Sequence, residues 1–134
     1  MTTDSTKPFG AATDAKYVRL TTFRKDGTAI GSPLWAAADG DRLVMWTETD
    51  SWKVKRIRHD PHVVIQACDL RGRDTYGEAV DGTAEILDGP GTDRARSLIT
   101  AKYGIVGKIL VKASLLRRGK SGTIGLSVTA NQDR

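Results

Sequence analysis

Two tight-turn signals, Asp26-Gly27 and Asp39-Gly40-Asp41, cut the first third of this chain into three β-type runs, and that punctuation constrains the fold more than any other feature. Residues 17–24 are rich in aromatic and β-branched side chains, with Val18, Leu20 and Thr22 on one face. Residues 42–48 alternate Leu43, Met45 and Thr47 with Val44, Trp46 and Glu48. Between them, residues 28–38 contain Gly31-Ser32-Pro33-Leu34-Trp35. A proline there removes a ladder donor, so this strand is expected to be an edge, to bulge, or to mark where the sheet opens. The three runs are expected to form a meander.

The meander leads into a basic helix over residues 52–59, stopped by Asp60-Pro61. Residues 62–70 form a nearly continuous apolar run, expected to be a central strand. Another strand is expected over 76–87, with a bulge at Asp81-Gly82. Gly89-Pro90-Gly91 breaks the chain, and helices follow over 93–102 and 105–117, jointed at Gly104 and Gly107. The second carries one apolar stripe of Ile105, Val106, Ile109, Leu110, Ala113 and Leu116, with Lys108 and Lys112 opposite. A short strand over 122–128 closes the order β-β-β-α-β-β-α-α-β. Hairpins without βαβ alternation predict a mainly β fold, an antiparallel Greek-key barrel of about six strands with flanking helices. One domain is expected over 15–129, after a poorly ordered or partly helical lead-in over 1–14 and before a tail over 130–134.

The passage from strand to helix is also where chemistry is expected. Thr49-Asp50-Ser51 offers short oxygen side chains to cap the helix. A capped helix N-terminus attracts anions through free amides and its dipole, and Lys53, Lys55 and Arg56 add formal charge in the first turns. Lys53 and Arg56 are neighbours on an ideal helix, whereas Lys55 stands nearer Trp52 and His59; which two converge on one phosphate is not set by spacing. The plain alternative is a solvated helix face with Val54 and Ile57 inward. Charge favours an anionic ligand: residues 1–51 net −1, and residues 52–134 net +6. The single Cys68 excludes an internal disulfide and a cysteine-based zinc site. No leader-like opening and no apolar run of membrane-spanning length is found, so a cytoplasmic protein without membrane contact is expected.

Taken together, Asp26-Gly27, Ser32-Pro33-Leu34-Trp35, Asp39-Gly40-Asp41 and the block from Thr47 to Pro61 resemble the split β-barrel, pyridoxamine 5′-phosphate oxidase-like family of flavin-binding proteins, over essentially residues 15–129. More narrowly, they are similar to the branch that uses the 5-deazaflavin coenzyme F420. The resemblance implies that Ser51, Lys53 and Lys55 hold the cofactor phosphate, that Ser32, Pro33, Leu34 and Trp35 line the ring system, and that Thr47 and Thr49 lie along the ribityl chain. Trp52 stands where oxidase relatives often carry a basic residue, and is expected to stack on the cofactor; Arg56 completes the basic cluster. Tyr76-Gly77-Glu78 replaces the basic and amide side chains that oxidase relatives place at the later strand, which disfavours pyridoxamine phosphate oxidation.

The implied activity is hydride transfer from reduced F420 to a small electron-poor acceptor, with no catalytic side chain assigned and no metal required. The implied assembly is a homodimer with the cofactor site between subunits. Rival readings are an FMN-binding oxidase or flavin reductase of the same fold, a cofactor carrier, and a basic barrel binding nucleic acid. The last has only positive charge behind it, because an aromatic content of 6% offers few stacking platforms.

Overall fold

A computed structural model describes residues 8–131. Seven strands, β1 (Tyr17–Phe23), β2 (Ala29–Leu34), β3 (Ala36–Asp39), β4 (Arg42–Glu48), β5 (His62–Cys68), β6 (Thr75–Ile86) and β7 (Thr123–Ala130), alternate with two helices, α1 (Trp52–His59) and α2 (Gly89–Arg118). Every pairing is antiparallel, in the order β2-β1-β5-β6-β7-β4-β3. β2 and β3 are consecutive in the chain yet lie at opposite ends of this sheet, so the strand expected over 28–38 is two strands and the first three runs are not a simple meander. The sheet curls until its two ends meet at Trp35 without closing, which is a split barrel. Pro33 sits on the edge strand β2 opposite Arg19, where its missing N–H costs no ladder bond.

β5 is central, between β1 and β6, as its apolar run requires. Val18, Leu20 and Thr22 point inward with Leu43, Met45, Val63, Ile65, Leu126 and Val128. Burying each Leu or Ile stabilises the fold by about 1.5–3 kcal/mol. Of the expected lead-in, residues 1–7 lie outside the described residues. Phe9 and Ala12, by contrast, flank and occupy a short 3-10 turn (Gly10–Thr13) and belong to this core, each only 1% exposed. The expected bulge moves: the β5–β6 register slips between Ile65 and Ala67, where Gly77 has φ +71°. Gly82 pairs regularly instead, and is glycine because a Cβ there would meet Val128 at 2.6 Å.

β4 is buried on both faces. Leu43 and Met45 enter the barrel, while Val44 packs with Ala37, Ala95 and Ile99 under α2. α2 starts earlier than residue 93: Pro90 sits in the first turn, where its missing N–H is harmless, and the Asp88 carboxylate accepts from the Gly91 amide at 2.8 Å. Gly104 (φ +66°, ψ −141°) breaks the helical path, which is the expected joint between two helices. Beyond it Gly107 and Val111 are buried, Gly107 against Tyr103, Thr100 and the Ile99 carbonyl of the first half of α2, and the stripe of Ile105, Val106, Ile109, Leu110 and Leu116 is exposed.

Asp39 ties α2 to the β3–β4 hairpin, accepting from Arg94 Nη2 at 2.8 Å and Arg42 Nη2 at 2.9 Å. The Arg94 hydrogen bond, with Arg42 assisting, holds its carboxyl down to about 2. A depressed carboxyl contributes stability that is complete above the unfolded value near 4 and disappears as pH falls through about 2. Discounted for the exposed Arg94, this amounts to about 1 kcal/mol. Asp39→Asn should therefore lower stability at pH 7 by about that much and converge on wild type only as pH falls below about 2. Urea titrations across that range measure it; parallel curves for the two proteins would contradict it.

Candidate functional site

β4 delivers Trp46, Thr47 and Glu48 to the turn at Thr49-Asp50, and Ser51 stands at the N-cap of α1. The Thr49 amide and hydroxyl pin that turn to the lead-in of β7, donating to Gly122 O at 3.1 Å and Ser121 O at 2.8 Å. The first α1 bond closed from outside the helix runs from the Lys55 amide to Ser51 O at 3.3 Å. The amides of Trp52, Lys53 and Val54 thus have no acceptor within the helix. Ser51 makes no side-chain cap bond, and its Oγ is buried without a hydrogen-bond partner. Asp50 is exposed and is not the cap. A buried hydroxyl left unpaired costs roughly 1–3 kcal/mol, and no group among the described residues satisfies Ser51 Oγ.

Lys53 is half-buried beside this hydroxyl's helix turn, and desolvation lowers its pKa, with Arg56 adding to the effect and Glu48 opposing it. It lines a cleft of about 300 Å³ with Leu34, Trp46, Thr47 and Glu48 from the barrel and Ser114 and Arg118 from α2. A second cleft of about 300 Å³ continues past Leu34 and Trp46 to Pro33, Trp35 and Leu110. Leu34 and Trp46 are common to both, so the two form one groove, cationic at one end and aromatic at the other. Trp35 is stacked on Tyr103 at 4.2 Å and 6°, and Tyr103 Oη bonds the Lys16 carbonyl at 2.7 Å, so this wall is fixed. Trp46, which lines both clefts, has its Nε1 buried without a hydrogen-bond partner. Glu48, the one carboxylate on the groove, is paired with Arg118 Nη2 at 2.7 Å, which removes its repulsion of an anion.

The structure therefore brings together Pro33, Leu34, Trp35, Thr47 and Lys53, while Ser51, two residues before Lys53 at the N-cap of α1, is not among the lining residues and has its Oγ buried. It does not bring the other expected residues to the groove lining. Ser32 pairs with Leu20 on β2. Thr49 spends its hydroxyl on Ser121. Trp52, Lys55 and Arg56 lie on another side of α1, around a separate cleft with Phe23 and Arg24. Lys55 Nζ stands 4.5 Å from the Trp52 ring centre, and Arg56 Nε donates to Thr22 Oγ1 at 2.7 Å. Glu48, Trp46, Ser114 and Arg118 were missed as groove residues; the last two arrive from α2 through the Gly104 break, and no spacing rule links them to Lys53. Among the described residues no group of His, Cys, Asp and Glu is placed to hold a metal, and no helix is long and apolar enough to cross a membrane.

The architecture is a split barrel of seven antiparallel strands with a groove ending at a basic helix start, and the comparisons agree with that fold. The pyridoxamine 5′-phosphate oxidase family model matches residues 9–124, and the chain belongs to that family. Among solved structures it is similar to an F420 reductase at 19% identity, covering 92% of this chain and 94% of that one with a TM-score of 0.63. It is also similar to a FAD-binding protein from Mesorhizobium loti at 20% identity, covering 90% and 85% with a TM-score of 0.61. A haem storage protein from Vibrio cholerae shares 11% identity, with 91% and 86% covered and a TM-score of 0.65. No curated protein sequence matches the chain.

Proposed function

We propose that the chain is an F420-dependent oxidoreductase that reduces a small electron-poor organic acceptor, and that the groove from Trp35 to Lys53 is its cofactor site. The observation that carries this reading is the half-buried Lys53 at the end of a groove walled by Leu34, Trp35 and Trp46, with the buried, unpartnered Ser51 Oγ two residues before it at the start of α1. A phosphate satisfies the hydroxyl, the lysine and the free amides of α1 together. When bound, the deazaflavin supplies the hydride. The chain's own side chains anchor and orient: Ser51 and Lys53 take the phosphate, Thr47 lies between the two ends, and Leu34, Trp35 and Trp46 exclude water beside the ring.

The likeness to an F420 reductase and the surplus of positive charge over residues 52–134 support the deazaflavin, which bears an acidic tail. The likeness to a FAD-binding protein supports the second reading, an FMN-binding flavoprotein on the same groove. The exposed stripe from Ile105 (78% exposed) to Leu116 (90% exposed) supports a homodimer with the groove near the interface, since Leu110 belongs to both. Fluorescence titration of the purified protein with F420 and FMN in parallel tests the assignment. Tight F420 binding with no retained flavin is expected; preferential FMN binding would replace it with the flavoprotein reading.

A further inference from the structure

On the other side of α1, a cleft of about 470 Å³ opens between the helix and the β1–β2 hairpin, and it shares no lining residue with the cofactor groove. Its lining contains five basic side chains, Arg24, Lys25, Lys55, Arg56 and His59, and no acid. Among the described residues none of Arg24, Lys25, Lys55 or Arg56 is ion-paired. The hairpin acid Asp26 accepts from the Thr28 amide at 2.9 Å and also feels the Arg24 charge, but forms no ion pair with it. Burial first, and the nearby Arg24 charge second, lower the pKa of Arg56, so holding that cation in the cleft carries a cost. An anion bound there relieves that cost.

The cations are also positioned. Arg56 is oriented by its Nε bond to the buried Thr22, which leaves its terminal nitrogens facing outward from that bond. Arg24 sits in a closed turn, its amide bonded to Thr28 O at 2.9 Å and its carbonyl to Gly27 N at 2.9 Å. The remaining walls are two rings. Phe23 is held by a parallel stack on His62 at 4.9 Å, and His62 is held by Asp81 at 2.8 Å. Trp52 is 70% exposed, which is unusual for an indole beside a cleft unless something covers it.

We infer that this cleft is a second binding site, for a small planar molecule carrying several negative charges, of the nucleoside di- or triphosphate class. Phosphates meet Arg24, Lys25, Lys55 and Arg56, and the ring packs against Trp52 or Phe23. A single strand of nucleic acid uses the same chemistry. The cleft, however, is the size of one nucleotide, and the chain's 6% aromatic content provides no continuing platform of rings.

Isothermal titration of the full chain with ADP and ATP at physiological salt tests this, with a short oligothymidylate as the competitor class. One nucleotide per chain is expected, with affinity falling at least ~10-fold in the Arg24→Ala/Lys55→Ala double variant and several-fold in Trp52→Ala. Lys53→Ala, on the other cleft, should leave nucleotide affinity within about twofold. Melting curves confirm that each variant is folded. Four results overturn the proposal: no nucleotide binding at millimolar concentration, binding indifferent to the double variant, binding abolished by saturating the protein with F420, or tighter binding of the oligonucleotide.

Discussion

Lys53→Ala is expected to weaken cofactor binding by about 1.5–3 kcal/mol, roughly 10- to 150-fold in Kd, the scale of a charge-assisted hydrogen bond to phosphate. The upper half of that range is favoured by geometry. Lys53 is half-buried, its charge is already destabilised by desolvation, and a phosphate partner restores what burial removed. The same substitution at Lys55 should have far less effect, because that ammonium rests over the Trp52 ring on the other cleft. Fluorescence titration of both variants measures the contrast. Equal losses at the two lysines would mean that the phosphate sits between them, and unchanged affinity in Lys53→Ala would remove that residue from the site.

The largest loss of stability is expected at Arg96, which is buried with 8% of its side chain exposed. Its guanidinium donates to Asp93 Oδ1 at 2.9 Å, Lys120 O at 2.8 Å and Thr123 Oγ1 at 2.8 Å, fastening the first half of α2 to the start of β7. Truncation to Ala opens a cavity and leaves the Thr123 groups unpaired, costing about 2–4 kcal/mol and on the order of 10 °C in Tm. Arg96→Lys should recover only part, because one ammonium cannot reproduce the fork and Nε already has no acceptor. Thermal denaturation of both variants checks this. A change below about 0.5 kcal/mol would show that water replaces the guanidinium freely. Thr123 also lines the Lys53 end of the groove, so the network supports the site as well as the fold.

Most of the fold was legible in local sequence because its signals are local. Asp26-Gly27 and Asp39-Gly40 fix hairpins, the alternation in residues 17–24 fixes an inward face, and Asp60-Pro61 ends α1. What was not legible depends on partners distant in sequence. Pro33 announced an edge, yet nothing local says that the chain leaves one end of the sheet at Leu34 and rejoins the other at Ala36. Asp81-Gly82 looks like a bulge, but Gly82 is glycine for room beside Val128, and the irregularity falls at Gly77. Gly89-Pro90-Gly91 reads as a break although Asp88 caps a helix there, because Pro in a first turn and Pro in a loop have the same sequence.

The site shows the same division. The helix start and its basic residues were evident, but their directions were not, and α1 turns Lys53 to one cleft and Lys55 with Arg56 to another. Ser51 reads equally as a cap or as a ligand until its hydroxyl is seen without a bond. Ser114 and Arg118 reach the groove only through the break at Gly104.

A crystal structure of the chain with F420 bound measures the central claim most directly. The account predicts phosphate oxygens within hydrogen-bond distance of Ser51 Oγ and Lys53 Nζ, with the ring system toward Trp35 and Trp46. A cofactor seated elsewhere, with Ser51 and Lys53 facing only solvent, would contradict it.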